Sequence, residues 1–170
     1  DFGLKEARSI VNIPVTGVLE SALYVASSLG STYSIIVVHN QTGQLLANTV
    51  KYYGMTGRLA RIADMGIPLP EVADTYKNTE KLMSLFNAAA QRTIKEDYAE
   101  VIIVGCTILS SLLTANKVHS FDGVPVIDPV WAGIKMAEVL VDVRRNYGIE
   151  VCRSSVYGAC PDWEKEIPIR

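Results

Sequence analysis

Apolar residues recur along this chain in two rhythms. At helical spacing they fall at Leu4, Ala7, Ile10 and Val11, again at Leu19, Ala22, Leu23 and Ala26, and again at Leu45, Leu46, Val50 and Tyr53. The clearest such stripe, Leu82, Leu85, Phe86, Ala89 and Ile94, predicts a helix that begins at Thr79, and Ile134, Ala137, Leu140 and Val141 predict one opened by Asp128-Pro129. Between these stripes, short runs rich in β-branched residues predict strands at Ile13-Pro14-Val15, Tyr33 to Val38, Val101 to Val104 and Val124 to Ile127. Asp1 suits a helix cap, and Gly30 and Gly54 suit helix ends. Met55 to Ala73 lacks either rhythm and reads as irregular, extended by prolines at Ile67-Pro68-Leu69-Pro70. Asn116 to Gly123 reads as a polar loop and the tail from Gly148 as an irregular outer wrap. Helices that alternate with short apolar strands predict a parallel α/β architecture.

Val101 to Val104 is apolar at every position, the pattern of a strand covered by helices on both faces. Gly105 permits a turn or a close approach, and Cys106 then stands just past the carboxyl end of the strand, where open α/β sheets bind their ligands. If Ile108 to Leu113 opens a helix, its amino end favours a thiolate over a thiol. A free cysteine is equally at home as an inert core residue, so the position alone leaves both readings open.

Composition narrows the classes. In 170 residues, 16 basic side chains face 18 acidic ones, which argues against a nucleic-acid surface. No apolar run approaches a membrane span. Three irregularly spaced cysteines suit neither a disulfide framework nor a metal site, and Cys152 and Cys160 read as spectator thiols in a reducing, cytoplasmic setting. His39 follows a strand end and either lines a cleft or is a solvated loop histidine, whereas His119 reads as exposed.

Two segments look alike: Ile13-Pro14-Val15 with the helix after Gly17, and Val124-Pro125-Val126 with the helix after Pro129. Cys106 stands upstream of the second, and the matching position for the first falls before Asp1. The ordered set Ile13-Pro14-Val15, Gly17 and Glu20, then Tyr53-Gly54-Met55, Gly57-Arg58-Leu59-Ala60 and Ile67-Pro68, then Gly105-Cys106-Thr107, then Val124 to Asp128, resembles the aspartate/glutamate/hydantoin racemase superfamily, most closely its hydantoin and allantoin racemase branch.

That resemblance implies two pseudo-symmetric parallel-sheet lobes with the active site in the cleft between them. Residues 1–16 and 124–170 would be the remainder of the first lobe, and residues 17–123 the second lobe carrying Cys106. Cys106 matches one of two catalytic cysteines, and its partner would precede Asp1, outside the chain. The reaction implied is cofactor-independent and metal-free: one cysteine takes the proton from a carbon beside a carbonyl while the other protonates the opposite face, as in inversion of a 5-substituted hydantoin or an allantoin-like compound. Backbone amides at Gly105 to Thr107 and around Thr16 and Gly17 would receive the developing oxyanion, with Val38 and Tyr53 lining the substrate site. Thr107 equally suits a helix cap and Tyr53 core packing, and Glu20 either orients a loop or is solvated. The sulfur is expected to face an open crevice. Two departures stand out: Val37-Val38 replaces a threonine pair common in that branch, and Asp128-Pro129 differs from its usual sequence. A one-cysteine relative of the arylmalonate decarboxylase or maleate isomerase kind, or a binding protein without catalysis, is the alternative. The partners implied are a small-molecule substrate and further copies of the chain in a homo-oligomer, the apolar helix from Val130 to Val143 offering a face for them.

Overall fold

A computed structural model describes residues 1–158; Cys160, Pro161 and Pro168 lie outside the described residues. Helices α1 (Leu4–Ile10) and α2 (Val18–Leu29) precede strand β1 (Tyr33–Val37), and α3 (Asn40–Tyr52) leads to β2 (Leu59–Asp64). A short α4 (Val72–Tyr76) and a long α5 (Thr79–Asp97) then lead to β3 (Val101–Val104). After it come α6 (Thr107–Ala115), the two-residue β4 (Ser120–Phe121), β5 (Val124–Ile127) and α7 (Pro129–Tyr147).

The strands form one sheet in the order β2-β1-β3-β5-β4, parallel except for β4, which runs antiparallel to β5. β1 and β3 are hydrogen-bonded on both sides and every one of their residues is buried, which is why β3 reads as an unbroken apolar run and β1 as one interrupted only by the small Ser34. Alternation along the pleat divides their side chains between two cores. Ile36, Ile102 and Val104 pack with Leu82 and Phe86 of α5 and Leu109 of α6; Ile35, Val37, Val101 and Ile103 pack with Leu19 and Leu23 of α2, Val50 of α3 and Ala132 of α7. Each such isoleucine or leucine, once fully buried, contributes about 2 kcal/mol of hydrophobic stabilisation.

Two expectations need correction. Ile13-Pro14-Val15 forms no strand. Pro14 has no amide to give, the Val15 carbonyl accepts from Arg8 Nε at 3.0 Å rather than from a neighbouring strand, and Ile13 is 63% exposed. Its look-alike, Val124 to Ile127, does enter the sheet as β5 beside β3, so residues 124–127 share a sheet with the strand that carries Cys106. Conversely, the stretch from Met55 to Ala73 holds β2 and the start of α4. β2 is an edge strand paired only with β1, so one flank needs no apolar partner, and Arg61 reaches out to Asp97 at 3.2 Å. The charges that mask its strand rhythm also guard an open edge.

Candidate functional site

The chain leaves β1 and β3, which are neighbours, toward opposite faces. α3 after β1 packs with the core that holds Val37, and α6 after β3 packs with the core that holds Val104. A reversal of this kind marks the carboxyl ends of the two strands as the place where open α/β sheets bind their ligands. Cys106 stands there, in extended backbone at the amino cap of α6, half-buried. Its side chain makes no cap hydrogen bond to α6, so the first-turn amides of Thr107 and its successors are left without a capping side chain at the same edge. Such amides are suited to an anionic oxygen.

Gly105 joins β3 to this cap and leaves no room for a side chain. Its N–H donates to the Ile36 carbonyl at 2.7 Å, and a Cβ there would lie 2.7 Å from Val37 Cγ1 and 3.0 Å from the Ile36 oxygen. On the other side of Cys106, the Tyr76 hydroxyl lies 3.1 Å from Sγ. Burial, and then this contact, hold the Tyr76 phenol well above the ordinary tyrosine range. Sequence reading passed over Tyr76 because α4 is only five residues long and the contact closes across thirty positions. Val38, one residue past β1, is buried, and its carbonyl accepts from the Ile67 amide at 3.4 Å. Thr107 is exposed in the first turn of α6.

Thr16, Gly17 and Tyr53 gather elsewhere, around Asp1 and α2. The Asp1 carboxylate accepts from the amides of Leu19 at 3.1 Å and Glu20 at 2.8 Å, which caps α2, and from the Tyr53 hydroxyl at 2.9 Å. Burial first, with Glu20 nearby adding to it, pushes the Tyr53 phenol up to about 12. A Cβ at Gly17 would lie 2.5 Å from the Asp1 carboxyl carbon, so glycine is required for this capping. Thr16 donates to the Gly133 carbonyl at 3.1 Å, which ties the turn to α7.

Glu20 belongs to the loop-orienting reading. It meets Arg8 through both guanidinium nitrogens, the Nη1 contact at 3.1 Å, while Arg8 Nε holds the Val15 carbonyl. The hydrogen bond to Glu20 outweighs the opposing effect of burial and raises the Arg8 pKa further. The two side chains are only 15% and 12% exposed, so water screens the pair little. Glu20→Gln is therefore expected to lower unfolding stability by about 2 kcal/mol by leaving a half-buried cation without its counter-charge. Urea denaturation reads this directly, and a loss below about 0.5 kcal/mol would reduce the pair to an ordinary surface contact.

Asp128, past the end of β5, caps α7 by accepting from Val130 at 2.8 Å and Trp131 at 3.2 Å, and it accepts from the Thr114 hydroxyl of α6 at 3.0 Å. Burial opposes its charge, but the hydroxyls of Ser110 and Thr114 and these two amides hold its carboxyl below the ordinary range. His39 caps α3 by position and shares its Nε2 with Thr42 at 3.1 Å. Cys152 is exposed, and its contacts with Ser154 lower its thiol pKa. A cavity of about 750 Å3 lies against Asp1, Glu20, Tyr52 and Tyr53, and another of about 330 Å3 against Pro14, Leu140, Val151 and Cys152; Cys106 lines neither. Among the described residues no cluster of three or more His, Cys, Asp or Glu side chains is placed to hold a metal, and no helix is long and apolar enough to cross a membrane.

Residues 1–137, which span Cys106, match the model of a protein family described as Asp/Glu/Hydantoin racemase. The hydantoin racemase of Pseudomonas sp. (strain NS671) is 35% identical over 148 residues, covering 86% of this chain and 57% of that protein. That of Paenarthrobacter aurescens is 33% identical over 141 residues, covering 83% and 58%. The chain thus spans little more than half the length of the curated relatives it matches. Among solved structures, the allantoin racemase from Pseudomonas fluorescens superposes with a TM-score of 0.80 at 27% identity, over 95% of this chain and 65% of that one. The allantoin racemase from Klebsiella pneumoniae, at 24% identity and a TM-score of 0.73, shares the fold. With residues 1–137 matched by the family model and Cys106 at a strand end within that span, the chain belongs to the Asp/Glu/Hydantoin racemase family.

Proposed function

We propose that the protein is a racemase that inverts a carbon acid stereocentre in a 5-substituted hydantoin or an allantoin-like compound, with Cys106 as one of two acid–base groups. The observation that carries this reading is the family match through Cys106, together with the place of that thiol beside uncapped helix amides. The Cys106 thiolate takes the α-proton from one face, the electron pair moves into the neighbouring carbonyl, and an opposing thiol delivers a proton to the other face. Each turnover leaves the two groups with exchanged protonation states, so the reverse inversion can follow. The first-turn amides of α6 stabilise the enolate oxygen as charge develops on it. Proton transfer of this kind calls on no cofactor.

On the same reading, the lobe that carries Cys106 runs from residue 17 through β5, which pairs with β3, and residues 1–16 contribute to a first lobe. The protein would act as a cytoplasmic homo-oligomer, and the exposure of Trp131, Ile134 and Val139 on α7 supports a further contact there.

The test is isotope exchange. One enantiomer of a 5-substituted hydantoin, incubated with the protein in heavy water, is expected to lose optical rotation while its α-hydrogen is replaced by deuterium, both well above the rate of a protein-free blank. Binding of the hydantoin with neither change above the blank would favour a non-catalytic binding protein and sink the racemase reading.

A further inference from the structure

We propose that Tyr76 is a positioning residue that holds the Cys106 sulfur in its reactive orientation through the 3.1 Å contact between its hydroxyl and Sγ. The proposal deepens the racemase reading and rests on it for its catalytic meaning.

The geometry supplies the argument. The Cys106 carbonyl accepts from the Ser110 amide of α6 at 2.9 Å, but its side chain makes no bond to the helix, so α6 does not restrain the thiol, and the Tyr76 hydroxyl is the side-chain partner the sulfur has among the described residues. Tyr76 is itself fixed. Tyr76 and Val72 pack against the core that Cys106 also touches, and the preceding Thr75 is buried with its hydroxyl donating to the Glu71 carbonyl at 2.9 Å. A tyrosine hydroxyl both donates and accepts, so the contact survives each change of state at the sulfur. It donates to the thiolate before proton abstraction and accepts from the thiol afterwards. A tyrosine phenol is protonated at neutral pH in any setting, and burial moves Tyr76 further in that direction, so the donated proton is available throughout.

The experiment compares iodoacetamide alkylation of Cys106 and Cys152 in the intact protein and in Tyr76→Phe, quantified on the peptides that carry these two residues, alongside racemisation kinetics. Loss of one hydrogen bond to an ionised sulfur, partly offset by greater intrinsic nucleophilicity, is expected to slow Cys106 alkylation about fivefold and leave Cys152 unchanged. Racemisation kcat is expected to fall about tenfold with KM held within about twofold. Unchanged Cys106 alkylation overturns the proposal. Should phenylalanine loosen α4, 3-fluorotyrosine at position 76 keeps the shape with a stronger donor; it is then expected to speed Cys106 alkylation, and no change would again overturn the idea. The two readings separate cleanly. Slower Cys106 alkylation in a protein that never racemises a hydantoin upholds the contact and defeats the racemase; racemisation with unaltered alkylation defeats the role of Tyr76 alone.

Discussion

Cys106→Ser is expected to reduce racemisation about a thousandfold or more while the protein stays folded, since general acid–base groups of this kind account for two to four orders of magnitude. Serine keeps the size and shape of the side chain but is far harder to ionise, so the group facing the α-proton is present without its basicity. Folding should survive for a local reason. Residue 106 occupies the amino cap of α6 in extended backbone, and serine is a preferred cap where cysteine makes no cap bond at all. The variant is expected to melt no lower than the parent protein, which separates lost chemistry from lost structure. Polarimetry on one hydantoin enantiomer checks the first half and thermal unfolding the second. Activity within tenfold of the parent would move the acid–base role to another residue.

What the chain's pattern revealed in advance, and what it hid, follows from where each element gets its stability. β3 was legible because an interior strand must be apolar on both faces, and Val101 to Val104 has no polar residue to confuse the reading. α5 and α7 were legible because each carries a long stripe and Asp128-Pro129 opens α7, whereas the cap of α5, Asn78 accepting from the Lys81 amide at 3.0 Å, came only with the structure. β2 was hidden because an edge strand tolerates Arg61 and Asp64, and its identity comes from pairing with β1 rather than from its own rhythm. Ile13-Pro14-Val15 misled because β-branched residues flanking a proline suit a strand only where a partner strand exists, and here Arg8 meets the Val15 carbonyl instead. The thiol was legible as a strand-end residue, whereas Tyr76 was not. No local spacing encodes a contact made by a five-residue helix folding back over the carboxyl edge of the sheet. Gly17 and Tyr53 show the same limit from the other side, since their mutual neighbour is Asp1, fifty-two positions from Tyr53, and Thr16 is tied to Gly133, 117 positions away.

Gly105→Ala is expected to destabilise the protein by about 3 kcal/mol, the upper part of the range for overpacking a well-filled core. The added methyl would lie 2.7 Å from Val37 Cγ1 and 3.0 Å from both Ile35 Cγ2 and the Ile36 carbonyl oxygen, and the last of these, a backbone atom, cannot be relieved by a side-chain change. Relief there requires β1 and β3 to part. That motion stretches the 2.7 Å bond from the Gly105 amide to the Ile36 carbonyl, one residue before Cys106. Urea unfolding should show the loss as a lower midpoint at unchanged slope. Gly57→Ala, where a methyl meets nothing within 4 Å, serves as the control and is expected to be near neutral. Val37→Ala separates the two sources of strain. Combined with Gly105→Ala it should recover about 1 kcal/mol of coupling, because it removes the closest atom but leaves the backbone oxygen in place. Full recovery would mean that side-chain crowding alone requires the glycine, and no loss in the single variant would mean that β1 and β3 have slack. With the expected partial recovery, glycine is required by the approach of two backbones, and the same approach fixes where the Cys106 sulfur emerges.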